Sequence, residues 1–111
     1  MKIEQMEQKY KVRIRDDSYF DPWSGKLVKR YKVYDASGTC WEKGLNYNSL
    51  RKELATNKGY YAKVAEDEAR RLLAYLKGDI DTRDKVFMLD AAVFGHVITR
   101  EQAEAMATRY C

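Results

Sequence analysis

The sequence predicts an α+β fold: an N-terminal three-stranded antiparallel β-meander with a protruding β-hairpin, covered by three to four C-terminal α-helices. Three observations predict it. Apolar and basic residues alternate with period two through the first half, turn sequences punctuate it at 21–25 and 35–38, and apolar residues recur at helical spacing through the second half. The 111 residues suit one domain, 1–111, β-rich over 9–46 and helical over 48–110.

Tyr10, Val12 and Ile14 alternate with Lys11, Arg13 and Arg15, the pattern of a half-buried strand. The alternation continues through Asp16, Ser18 and Phe20 on the apolar side, so the strand is expected to run on as a protruding arm. Asp21, Pro22, Trp23, Ser24 and Gly25 make a turn, with Pro presetting φ and Gly supplying a flexible exit. The second strand, 27–34, places Tyr31 and Val33 on one face and Arg30 and Lys32 on the other. Asp35, Ala36, Ser37 and Gly38 form the next turn. A third strand, 39–45, carries Trp41 and Leu45 on one face.

Helical spacing takes over after Leu45. Asn48 or Ser49 can cap a short helix through Asn57, with Leu50 and Leu54 as its apolar stripe and Gly59 as its stop. A longer helix over 60–77 carries Tyr61, Val64, Ala65, Leu72, Tyr75 and Leu76 inward, and Gly78 stops it. Asp81 or Thr82 caps a third helix, with Val86, Phe87, Leu89, Val93 and Phe94 as apolar residues and Gly95 at its end. The last helix starts at Thr99, with Gln102 completing a capping box and Ile98 stapling onto Ala103. The helices are expected to cover a sheet face carrying Tyr10, Val12, Ile14, Tyr31 and Val33.

Charge is unevenly placed. The net charge is +4. Residues 1–60 hold 13 Lys and Arg against 8 Asp and Glu, whereas residues 61–111 hold 8 against 9. The excess sits on the opening ribbon, where Lys11, Arg13, Arg15, Lys29, Arg30 and Lys32 form a candidate nucleic-acid-binding face. Outward Lys and Arg on adjacent strands can lie along phosphates, and neighbouring aromatics can stack on bases. The bland reading is a solvated sheet face. Tyr19, Phe20 and Trp23 crowd the turn as candidate partner-binding residues, since large aromatics and Arg dominate interface energetics. In the bland reading these rings fold back into the core. Asp16, Asp17 and Asp21 form an acidic collar that would repel phosphate from the tip.

No catalytic motif is present: phosphate loops, G-x-S-x-G and H-E-x-x-H are all absent, so no enzymatic activity is expected. The acidic run at 79–84 fails as a calcium loop, because Arg83 takes a ligand position and Asp84 replaces the required Gly; it reads as a helix N-terminus instead. His96 has no second His or paired Cys for zinc, and suits a helix C-terminus. No metal and no cofactor are expected. Glu101 and Glu104 argue against a recognition helix at the C-terminus. Cys40 and Cys111 are no disulfide framework, which suggests a reducing, cytoplasmic location. No apolar leader or membrane-length run is visible, so no membrane partner is expected.

These features predict a small non-enzymatic binding or regulatory protein. It would dock a basic, aromatic hairpin face on a nucleic acid or nucleoprotein complex, as accessory proteins do, phage-encoded inhibitors of host machinery among them. The alternative is a protein–protein interaction module anchored by the aromatic tip alone. The oligomeric state is left open, since a long ribbon could pair across a two-fold axis.

Overall fold

The computed structural model describes residues 2–111. Among them, five helices and five strands follow in the order α1 (Ile3–Tyr10), β1 (Arg13–Asp16), β2 (Tyr19–Asp21), β3 (Lys26–Val28), β4 (Tyr31–Tyr34), β5 (Cys40–Leu45), α2 (Tyr47–Thr56), α3 (Lys58–Lys77), α4 (Thr82–Phe94) and α5 (Arg100–Tyr110). Strands β1, β4 and β5 form an antiparallel sheet in the order β1-β4-β5, and β2 pairs with β3 as a two-stranded hairpin. The α+β class, the meander and the hairpin all follow the period-two pattern.

The first strand begins later than the alternation predicts. Tyr10 ends helix α1, and Lys11 caps it in the left-handed conformation at φ +57. The Val12 N–H closes the cap on the Glu7 carbonyl at 3.2 Å. Ile3, Met6 and Tyr10 lie at helical spacing and pack inward together, so the half-buried Tyr10 and the buried Val12 reach the core from a helix and its cap rather than from a strand. Lys11 therefore leaves the sheet. It holds a conformation that glycine adopts freely and an L-residue pays for by roughly 1 kcal/mol. Lys11→Gly is expected to raise stability by about 0.5–1 kcal/mol, measured by urea denaturation.

Two apolar cores result. In the first, Met6, Val12, Val33, Leu50, Leu54 and Tyr61 are fully buried between the sheet and helices α1, α2 and the start of α3. In the second, Leu72 and Leu76 of α3 meet Leu89 and Ala92 of α4, with Val97, Ile98 and Ala103. Only the first covers the sheet. Helices α4 and α5 pack on the far half of α3, so the cover over the strands comes from α1, α2 and the start of α3. Of the apolar residues of α4, Leu89 is buried, whereas Val86, Phe87 and Phe94 are exposed. The molecule is accordingly long, 57 × 27 × 21 Å, with a radius of gyration of 16.6 Å, against about 13 Å for a compact chain of 100 residues.

Helix ends show local chemistry at work. Asn46, not Asn48 or Ser49, caps α2 by accepting from the Ser49 N–H at 2.8 Å. The break between α2 and α3 falls at Asn57, and Gly59 lies inside the first turn of α3. Asp81 caps α4 through the Arg83 N–H at 3.0 Å, and Thr99 and Gln102 form the capping box of α5. His96, at φ +62, supplies the left-handed residue after α4. Among the described residues, no helix is long and apolar enough to cross a membrane.

Asp35 organises the β4–β5 turn from a buried position. Its carboxylate accepts from the Ser37 N–H at 2.9 Å and the Thr39 N–H at 3.1 Å, and from the Ser37 hydroxyl and the Trp41 indole. Burial alone would push this carboxyl up, but donation from Ser37, Trp41 and Thr39 outweighs it and holds the group below its ordinary value. Its contribution is thus complete above the ordinary value of 3.8 and fades as pH falls through the lower folded one. Asp35→Asn is expected to cost about 2 kcal/mol at neutral pH. The difference from wild type should shrink when the same urea titration is run in strong acid.

Candidate functional site

The hairpin β2–β3 and the β1–β4 pair form one continuous ribbon. Arg13 faces Tyr34 at its root and Asp21 faces Lys26 near its tip, with no slip in register between them. Where the strands lapse at the arm's base, the Asp17 N–H still donates to the Arg30 carbonyl at 2.9 Å. There the Ser18 hydroxyl accepts the Arg30 N–H at 3.2 Å in place of a backbone oxygen. At about 3.3 Å per residue, the arm carries Trp23 roughly 20 Å beyond the sheet.

The tip is built around Asp21. Its carboxylate accepts from the Trp23 N–H and from the Ser24 hydroxyl, both at 3.0 Å, and its carbonyl accepts the Gly25 N–H at 2.9 Å. Gly25 leaves the loop at φ +69, where a side chain would be strained. This fastens a loop whose side chains find no core. Trp23 is 97% exposed, Phe20 62%, Leu27 58% and Tyr19 54%. Phe20 and Leu27 sit directly opposite each other, on the ribbon face that carries Ile14 and Val33 into the core further down. Asp16, Ser18 and Lys29 interrupt that face where the core ends, and Phe20 and Leu27 form a separate apolar patch beyond them that is exposed. Leu27 belongs to this patch and was not among the predicted site residues; its position opposite Phe20 in a hairpin is the signal that finds it.

The outer face of the ribbon is basic but largely engaged. It gathers Arg13, Arg15, Arg30 and Lys32. The Arg13 guanidinium lies 3.9 Å from the Phe94 ring centroid at the end of α4. Lys32 pairs with Asp17 at 3.5 Å, and Arg30 donates to the Lys29 carbonyl at 2.7 Å. The Arg15 side chain makes no hydrogen bond or ion pair among the described residues. It shares an open cleft of about 540 Å³ with Arg13, Ile14, Tyr34 and Gly38. Two predicted residues fall elsewhere. Lys29 lies on the opposite side beside Asp16, whose carboxyl is held below its ordinary value by the Ser18 hydroxyl and N–H, with Lys29 adding a smaller push. Lys11 lines a separate cleft with His96 and Arg100.

The three acids of the expected collar each have a local partner. Asp16 accepts from the Ser18 N–H, Asp17 holds Lys32, and Asp21 fastens the tip. Among the described residues, no three His, Cys, Asp or Glu side chains converge as a metal site requires. Glu7 shows how the root is braced: it accepts the Ile14 N–H at 2.9 Å, and the same oxygen lies 3.9 Å from His96 Nε2. The fold and this surface define an α+β protein that presents an apolar-tipped β-arm. No protein-family model, curated protein or solved structure was found to match the chain.

Proposed function

We propose that this chain is a non-enzymatic binding protein that docks its β2–β3 arm on a large protein or nucleoprotein partner. The tip aromatics enter a pocket and the basic outer face steers the approach. The observation that carries this reading is Trp23, almost wholly exposed on a loop fastened by Asp21. The backbone under the ring is already fastened, so binding orders little chain while the ring gains a large buried area. An accessory role, such as inhibition of a larger machine, suits an arm that inserts and does no chemistry.

The test is a photo-crosslinking residue in place of Trp23, with the same residue in place of Arg70 on the solvent side of α3 as control. Crosslinking of one species from the source cell at position 23 alone is the expected result. Equal labelling at both positions would contradict it.

A second reading, direct phosphate contact, is favoured by the free Arg15 in its open cleft beside Arg13. It predicts binding to generic DNA or RNA that weakens steeply with salt, with a log–log slope of about 0.9 per phosphate contact on duplex DNA. Fluorescence anisotropy across a salt series checks it. Flat, negligible binding would leave the tip reading alone.

A further inference from the structure

Helix α4 runs apolar from Val86 to Phe94, broken only by Asp90, yet only one side of it is covered. Leu89 and Ala92 face the second core. On the opposite side Phe87 is 70% and Phe94 65% exposed. A helix apolar on all sides is ordinarily buried on all sides, and exposed rings grouped on one face mark a contact surface. Arg83, Phe87, Asp90 and Phe94 recur at steps of four, three and four residues, so they form one straight seam, the spacing of knobs-into-holes packing.

We propose that this face pairs with the same face of a second copy of the chain, the two α4 helices lying antiparallel about a two-fold axis. The charges on the seam argue for that occupant. The seam carries one exposed cation, Arg83, and one exposed anion, Asp90, two helical turns apart with a ring between them. In an antiparallel pair, Arg83 of one copy lies over Phe94 of the other and within reach of its Asp90. The two-fold axis repeats that set of contacts. Phe87 of each copy then packs at the centre, beside the other's Asp90 stem and Val86.

The sheet edges offer no competing route to a dimer. Strand β1 is four residues long and its Ile14 N–H is already held by Glu7. Strand β5 is bent by two register shifts and by Gly44 at φ +70. A single helix of this length, about 20 Å, buries less than the roughly 800 Å² per partner of a standard interface, so a weak dimer is expected. Arg13 rests on Phe94, so pairing brings the basic faces of the two copies to the margin of one interface.

Sedimentation of the full chain from micromolar to millimolar concentration tests this. The wild type should show a monomer–dimer equilibrium, and Phe87→Lys should weaken it at least about tenfold. Arg83→Asp and Asp90→Arg should each weaken it, and the double exchange should restore it. Trp23→Ser should leave it unchanged. All these side chains are exposed, so circular dichroism should show an intact fold throughout. A wild type that stays monomeric to millimolar concentration overturns the proposal and gives the face to a different occupant. A dimer that survives Phe87→Lys, or that is lost in Trp23→Ser, overturns it as well.

Discussion

Leu54→Ala and Leu76→Ala are each expected to lower stability by about 2–5 kcal/mol, a large share of the roughly 5–15 kcal/mol that holds a domain together. Both side chains are fully buried, one in each core. Each truncation removes transfer free energy and leaves a cavity that close-packed neighbours fill only in part. The two cores share α3, which gives Tyr61 to the first and Leu72 and Leu76 to the second along one unbroken helix. Both variants should therefore unfold in a single transition. Urea denaturation followed by far-ultraviolet circular dichroism and by tryptophan emission checks this. Two separated transitions would show that the cores melt independently.

The second large effect is on binding, with almost none on stability. Replacing Tyr19, Phe20 and Trp23 together with Ser should weaken partner binding at least about 100-fold, because interface anchors of this kind are worth about 2 kcal/mol or more each. The same variant should lose no more than about 1 kcal/mol of stability, the scale of one cross-strand pair such as Phe20 with Leu27. Had the rings finished the core, the cost would be that of Leu54→Ala. Their exposure makes the two outcomes separable in one denaturation experiment.

Period-two alternation located the sheet and the arm because a strand buried on one face must alternate. Ile14 and Val33 obey it, and Phe20 continues it beyond the core. The short helix α1 was missed because its inward residues Ile3, Met6 and Tyr10 are thinly spread among polar ones, and because Tyr10 and Val12 fit a strand equally well. Lys11 was misplaced for the same reason: a left-handed cap made by Lys has no glycine to announce it. The sequence marks Phe87 and Phe94 as apolar residues of α4 without revealing which side of the helix is covered. The basic face was legible as composition, but its pairing was not. Arg13 meets Phe94 from far along the chain, and Lys32 meets Asp17 across the ribbon. Those contacts depend on tertiary structure, and they leave Arg15 as the free charge in the cleft.

The account rests on the arm's tip as the anchor and the basic face as an aid to approach. The most direct measurement compares two folded variants against the partner identified by crosslinking. One carries Ser at Tyr19, Phe20 and Trp23, and the other carries reversed charge at Arg13, Arg30 and Lys32. The account predicts a loss of at least about 100-fold for the tip variant and of less than about tenfold, mostly in the association rate, for the charge variant. A tip variant that binds like wild type, beside a charge variant that does not bind, would contradict it.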